Sequence, residues 1–189
     1  MQGSLFYALN ADRHEAFLAS TDTFLVPWID RKFGGIAARG PLEIGTRKEL
    51  EFWKVPASPV SLQGPDISSK ALPNAGSDVY EISVRSLRNA RSLMVKANPN
   101  VEILGIQSVH FNEPRQLRIL LFEGLNDGEL KFNVKIPPQK SVDLIISDAT
   151  RGWPEDIVQQ KEVPENFVVA PILHFFSGST LVTRKISLP

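Results

Sequence analysis

The chain contains three histidines, and histidine is both a common metal ligand and a common general base. They are His14, His110 and His174, and they lie far apart in the sequence. None of them lies three or four residues from another histidine or a carboxylate on a predicted helix, the spacing by which one helix face holds a metal ion. Each is therefore interpreted as a surface or hydrogen-bonded side chain, and no metal site is predicted in this chain.

Serine chemistry and paired-carboxylate chemistry are also poorly supported. The nearest string to a Gly-x-Ser-x-Gly nucleophile motif is Phe-Ser-Gly-Ser at residues 176–179, in a predicted hairpin turn. Asp143 and Asp148 lie five residues apart on one predicted strand, so we expect their side chains to point to opposite faces. The absence of cysteine excludes thiol nucleophiles and thiolate metal sites. These patterns favour a protein that is not an enzyme.

The composition limits the possible partners. The chain has 189 residues, 42% of them hydrophobic, which is enough to bury a core within one domain. Its 21 basic and 21 acidic residues balance and form no long run of one sign, so nucleic-acid binding is not predicted. The apolar runs fall short of the roughly 20 residues that span a bilayer, and the N-terminus lacks the pattern of a secretion signal.

The dominant hydrophobic period is two. Leu130, Phe132, Val134 and Ile136 alternate with polar residues, which predicts a half-buried strand. An apolar run at 117–122 precedes it, and the intervening Asn-Asp-Gly predicts that the two strands form an antiparallel hairpin. Further strands are predicted at residues 79–87, 92–97, 101–111, 141–147, 167–175 and 180–188. About eight strands separated by turns favour a mainly β fold, an antiparallel sandwich formed by residues 77–189.

The first third of the chain is predicted to be a small appendage that packs on this body. Strands are expected at 5–9 and 15–20, and residues 1–55 form the N-terminal part. A short helix is expected after Asp22, because Pro27 suits a first helical turn and a pair of glycines follows at 34–35. Residues 56–76 are rich in proline, serine and glycine and are predicted to form an extended strap.

Short blocks at the two ends of the chain form a collinear signature. Residues 4–12 end in Asn-Ala-Asp, Ala-Ser-Thr-Asp follows at 19–22, residues 148–154 read Asp-Ala-Thr-Arg-Gly-Trp-Pro, and residues 180–184 read Thr-Leu-Val-Thr-Arg. In this order the blocks resemble the region after the last membrane helix in membrane-anchored zinc exopeptidases of the vacuolar membrane protease and endoplasmic reticulum metallopeptidase type. The signature residues are Asp12, Asp148, Gly152, Pro154 and Arg184.

The resemblance implies a non-catalytic C-terminal domain rather than an enzyme. In that family the zinc ions are held by an upstream catalytic domain, and no stretch of this chain matches those ligand motifs. The resemblance therefore implies that zinc is a cofactor of the parent protein only, and that the main partner is the catalytic domain of that protein. It also implies an extracytoplasmic location, with membrane attachment only through upstream helices.

Elementary chemistry assigns the signature residues architectural roles. Asp148 can cap the turn that follows its strand, Gly152 can adopt a φ that other residues avoid, and Pro154 can begin a helical turn. Arg184 alternates with apolar residues on the last predicted strand, where an unpaired buried charge would be costly. We therefore expect Arg184 to pair with an acid such as Asp148.

Aromatic residues suggest an alternative function. Trp28, Trp53 and Trp153, together with Tyr7 and Tyr80, could form a platform on which sugar rings stack, as in an independent glycan- or peptide-binding sandwich. Their spacing indicates no shared strand, so their packing in the core or over a sheet edge is the favoured interpretation. An autonomous hydrolase ranks last.

Overall fold

The computed structural model describes residues 2–22, 24, 27–43, 51–75, 78–90, 92–98, 100–104, 118–123, 129–138, 140–155, 168–169 and 178–189. The strands are β1 (Gln2–Gly3), β2 (Leu5–Asn10), β3 (Glu15–Ser20), β4 (Ala38–Pro41), β5 (Glu51–Ala57), β6 (Asp66–Ala71), β7 (Val79–Arg85), β8 (Ser92–Ala97), β9 (Glu102–Leu104), β10 (Arg118–Glu123), β11 (Glu129–Lys135), β12 (Val142–Arg151), β13 (Val168–Val169) and β14 (Ser179–Leu188). A short helix, α1, spans Pro27–Lys32, and a 3₁₀ turn spans Pro73–Ala75.

These strands form two main sheets, which confirms the predicted mainly β fold. The large sheet has the order β10-β8-β12-β14-β2-β3-β5-β4, and the small sheet has the order β6-β7-β11-β9. All neighbours in both sheets are antiparallel except β14 and β2, which run parallel. A separate parallel bridge joins β1 to β13. The strands of the first third extend the large sheet, and no helix in the described part is long and apolar enough to cross a membrane.

The main core lies where the two sheets pack face to face. The small sheet contributes Ile82, Val84, Phe132 and Val134, and the large sheet contributes residues such as Leu144. All of these side chains are buried, and they occupy alternate positions along their strands, as a half-buried strand requires. The alternation predicted for β11 is therefore confirmed.

The large sheet extends past the small sheet, and other segments cover part of its remaining surface. A second core cluster, formed by residues such as Leu5, Leu9 and Leu18, is covered by Phe33 just after α1 and by Val60 in the following connection. Alternate residues of the same strands point to the opposite face and form a third cluster around Phe6, Ala19, Phe52, Met94 and Leu181. The glycines at 34 and 35 have φ values of +61° and +67°, so the predicted helix ends as expected.

The predicted hairpin between residues 117–122 and 130–136 is wrong. β10 pairs with β8 in the large sheet, whereas β11 pairs with β7 and β9 in the small sheet. The hydrophobic period indicates which face of a strand is buried, but the partner strand depends on contacts that are distant in sequence. The consecutive strands therefore belong to opposite layers of the sandwich.

The predicted strap is partly wrong as well, because β6 lies within residues 56–76. Its sequence, Asp-Ile-Ser-Ser-Lys-Ala, is mostly exposed and has a single half-buried aliphatic side chain, so it carries no alternating signal. β4 and β5 were also not predicted. Predictions that concern residues 105–117, 156–167 and 170–177 lie outside the described residues, and these include His110, His174 and the serine at 177.

Candidate functional site

The five signature residues fall into three places. Asp148 lies in the middle of the large sheet, on β12. Asp12 and Arg184 meet at the turn between β2 and β3, and Gly152 and Pro154 follow the end of β12. The resembling blocks therefore converge on the β12–β14 region, which is the centre of the large sheet.

Asp148 is fully buried and bonds to the connection between the two sheets. The hydroxyl of Ser86 donates to its Oδ2 at 2.5 Å, and Nη2 of Arg88 donates to its Oδ1. The side chain of Arg88 is only 11% exposed and that of Asp148 is fully buried, so this ion pair is largely buried. We call Asp148, Ser86 and Arg88 the Asp148 cluster.

The Asp148 cluster ties together elements that are far apart in sequence. Ser86 and Arg88 lie between β7 of the small sheet and β8 of the large sheet. The Ser86 hydroxyl also accepts from the backbone N–H of Ala90 at 3.0 Å, which shapes this connection locally. Nη1 of Arg88 donates to Oγ1 of Thr150 at 3.0 Å. A buried carboxylate with both oxygens engaged in this way is an anchor for the connection between the layers.

The expected pairing of Arg184 with Asp148 is wrong, although Arg184 does pair with an acid. Its Nε donates to Oδ1 of Asp12 at 3.2 Å, and the side chain is 42% exposed. The other carboxylate oxygen of Asp12 accepts from the backbone N–H of Lys185 at 2.7 Å. The physical reason is the register: Arg184 lies opposite Ile146, and the parallel pairing of β2 with β14 brings the turn after β2 beside it.

Arg184 is also packed against Gly64, in the connection between β5 and β6. A Cβ atom added at Gly64 would lie 2.6 Å from Cγ and 2.7 Å from Cδ of Arg184. Such distances are far inside van der Waals contact, so the connection can approach the arginine only because residue 64 is glycine. Nη1 of Arg184 donates to the carbonyl oxygen of Pro65 at 3.5 Å. The side chain thus holds the β2–β3 turn and the start of β6 together.

Gly152 closes the end of β12. Its φ is +85°, a region that favours glycine, and its N–H donates to the carbonyl of Gly178 at 2.8 Å. The carbonyl of Gly152 accepts from the hydroxyl of Thr180 at 2.7 Å. Trp153 then packs against the second core cluster, and Pro154 is half-buried. The helical turn predicted to begin at Pro154 runs through residues 156–160, outside the described residues.

Tyr7 cannot belong to an exposed aromatic platform for sugar rings, because its side chain is buried. Tyr7 is fully buried, and its hydroxyl donates to the carbonyl of Ser58 and accepts from the N–H of Val60, both at 3.0 Å. Burial raises the pKa of Tyr7, and the hydrogen bond from Val60 opposes that shift. Trp53 and Trp153 are half-buried against the same second cluster, and the side chain of Trp28 is outside the described part.

A hydroxyl cluster at the start of β2 was not predicted as a site. The hydroxyl of Ser4 donates to Oδ1 of Asp22 at 2.9 Å and accepts from the N–H of Thr21 at 2.9 Å. The carboxylate of Asp22 also accepts from the N–H of Ser4, and Ser20 is buried beside them. The sequence signal that could have indicated this cluster is the Ser-Thr-Asp run at 20–22, since the side chains of these residues commonly bond to nearby backbone groups in turns. His14 is exposed on a turn with φ +53°, away from these hydroxyls in the pairing of β2 with β3.

Charged groups on the opposite face of β12 form exposed pairs. Asp143 accepts from Nζ of Lys185 at 2.8 Å and from the hydroxyl of Ser187 at 2.6 Å. These two hydrogen bonds, the lysine first, lower the pKa of Asp143, and the same carboxylate raises the pKa of Lys185. Asp143 and Asp148 therefore do not form an acid–base pair. Among the described residues, no group of three histidine, cysteine or carboxylate side chains could hold a metal ion.

Comparison of the chain with protein-family models, with curated proteins and with solved structures found no match. The resemblance to zinc exopeptidases therefore depends on the sequence blocks alone.

Proposed function

We propose that this chain is a non-catalytic domain of a membrane-anchored zinc exopeptidase. It follows the membrane helices of the parent protein and lies on the same extracytoplasmic side as the catalytic domain. Its function is to pack against that catalytic domain, to restrict the access of substrate or to mediate assembly. The zinc ions and the bond-breaking groups belong to the upstream domain.

The observation that carries this proposal is how the signature residues are used. Asp148 bonds to the connection between the sheets, and Asp12 bonds to Arg184 and to the backbone of β14. Each of these groups joins two elements of the sandwich, which is what a scaffold domain needs from charged residues near its core. An independent glycan-binding module is less well supported, because Tyr7 is buried and two tryptophans pack on the core.

The reading frame of the native gene provides the first test. We expect it to continue upstream of this sequence through membrane helices into a domain with a histidine, aspartate and glutamate zinc set. A native gene that encodes this sandwich without such a domain would contradict the proposal.

Assays of the purified chain provide the second test. We expect no release of amino acids from a panel of chromogenic aminoacyl substrates, and no zinc by elemental analysis, with a known zinc aminopeptidase as positive control. Turnover that scales with the purified protein and is abolished by a chelator would count against a non-catalytic role. Binding to a glycan array would favour the alternative.

A further inference from the structure

Among the described strands, β6 is an edge of the small sheet. It pairs with β7 along its whole length, and no described strand lies on its other side. The side chains of Ser68, Ser69, Lys70 and Ala71 are all exposed, so this edge is accessible to another chain. An accessible edge strand presents unpaired backbone N–H and C=O groups, which can pair with a further strand.

The pairing with β7 determines which backbone groups face outward. The N–H of Leu72 donates to the carbonyl of Val79 at 2.8 Å, and these two residues continue the β6–β7 register. Because bonded and non-bonded pairs alternate in an antiparallel ladder, every second residue of β6 bonds to β7. The N–H and C=O groups of Ile67, Ser69 and Ala71 therefore point outward.

Prolines bracket this outward-facing segment. Pro65 precedes β6 and Pro73 follows it, and neither has an N–H group to donate. Two other described edge strands are shorter: β9 has three residues, and β4 has four and ends in a proline. β6, with six residues, thus has a greater capacity for strand pairing than either of them.

We propose that β6 pairs with β6 of a second copy of this chain, antiparallel, with the two-fold axis at Ser69. In this register Ser69 lies opposite its own equivalent, and Ile67 lies opposite Ala71 of the second copy. All three outward residues of each copy then take part, which forms about six interchain backbone hydrogen bonds. A shift by two residues would place Pro65 or Pro73, which cannot donate, opposite an outward residue, so the proposed register is the one that pairs all three outward residues of β6 with residues that can donate.

The side chains of β6 fit the same register. On the outer face, Asp66 lies diagonally across from Lys70 of the second copy, and the two-fold axis repeats this pair of opposite charges. On the inner face, the half-buried Ile67 meets the small Ala71 of the second copy. Lysine on an edge strand commonly discourages pairing, but here each lysine lies near Asp66 of the other copy, a carboxylate that also accepts from Arg85 of its own chain at 3.3 Å. In this dimer the two four-stranded small sheets become one continuous sheet of eight strands. The proposal of this dimer does not depend on the proposed function.

Cross-linking tests the register directly, because the chain contains no cysteine. Residue 68 lies opposite residue 70 of the second copy in a non-hydrogen-bonded pair, where Cα atoms are about 4.5 Å apart. This separation is within the range of a disulfide, about 4.4–6.8 Å. A mixture of Ser68→Cys and Lys70→Cys proteins should therefore form a mixed disulfide, identified by mass spectrometry, about tenfold faster than either protein alone.

The unmixed proteins are the matched controls. In the proposed dimer, equivalent residues at position 68 are two residues out of register, roughly 8 Å apart, which is beyond disulfide reach. Equal cross-linking in mixed and unmixed samples, or none in the mixture, would overturn the proposal.

Sedimentation of the unmodified chain and of two Ser69 variants provides an independent test. We expect the chain to dimerise reversibly over a protein concentration range of about 1 μM to 1 mM. Ser69→Pro removes an outward N–H without removing a bond to β7, so it should weaken dimerisation by about tenfold or more. Ser69→Ala keeps the N–H and should dimerise as the parent chain does. A chain that stays monomeric, or a dimer that tolerates Ser69→Pro, would show that β6 is not the interface, and the cysteine experiment remains decisive if the proline variant misfolds.

Discussion

Replacement of Asp148 by alanine should be one of the most destabilising single changes in this protein. Asp148 is fully buried, and its two oxygens accept from Ser86 and Arg88. The change leaves Arg88, whose side chain is 11% exposed, without its carboxylate, and leaves the Ser86 hydroxyl without its acceptor. Loss of one partner from a buried ion pair costs about 3–5 kcal/mol, because the remaining charge is buried without compensation.

The expected loss of stability for Asp148→Ala lies at the lower end of this range. Arg88 keeps its bond to Oγ1 of Thr150 and is not completely shielded from water, so part of the penalty is relieved. We expect a loss of about 3 kcal/mol in the free energy of unfolding, against a total of about 5–15 kcal/mol for a typical domain. The double variant Asp148→Ala with Arg88→Met should lose less than the sum of the two single changes, because it leaves no unpaired charge.

Urea unfolding followed by circular dichroism and tryptophan fluorescence measures these values. Asp143→Ala is the matched control, because it also removes an aspartate carboxylate from β12. The ion pair of Asp143 with Lys185 is about half exposed. Such surface pairs contribute about 0–1 kcal/mol. An Asp148→Ala variant that is no less stable than Asp143→Ala, or single changes that add without coupling, would refute the role assigned to the Asp148 cluster.

Three further predictions concern other contacts. Gly64→Ala should destabilise the protein by about 1–3 kcal/mol in urea unfolding, because its Cβ would collide with Arg184, and the added change Arg184→Ala should relieve the collision. Tyr7 should ionise above the ordinary range of tyrosine, pH ~10, in an alkaline absorbance titration, and its stabilising contribution should be complete below that pH and lost as pH rises through its raised pKa. Lys185→Met should raise the pKa of Asp143 in an NMR titration toward its ordinary value, near pH ~4; in the parent chain the stability from Asp143 is present above that pH and lost as pH falls through its lowered pKa.

Each of these predictions has a result that would contradict it. A Gly64→Ala variant as stable as the parent would mean that the connection between β5 and β6 does not press on Arg184. Ionisation of Tyr7 at or below pH ~10 would show that burial does not raise its pKa. If Lys185→Met left the pKa of Asp143 unchanged, the hydrogen bond from the lysine would not be the main cause of the lowered pKa of Asp143.

Local sequence patterns predict the secondary structure wherever one face of a strand is buried. Alternation such as that of Phe132 and Val134 in β11 follows from the two-residue period of a strand, so it can be recognised without knowing the partner. The short helix was predicted because the proline and glycine signals at its ends are local. β6 was missed because an exposed edge strand needs no apolar alternation.

The partners of the strands and of the charged side chains depend on the three-dimensional packing of the whole chain. β10 and β11 are consecutive in sequence but belong to different sheets, and Arg184 pairs with Asp12, 172 residues away, rather than with the acid on the neighbouring strand. Asp148 pairs with Arg88, which lies in the connection between β7 and β8, and the sequence of that connection does not indicate this contact. The period of a strand reports only its own buried face, whereas pairing depends on register and on the packing of both sheets at once.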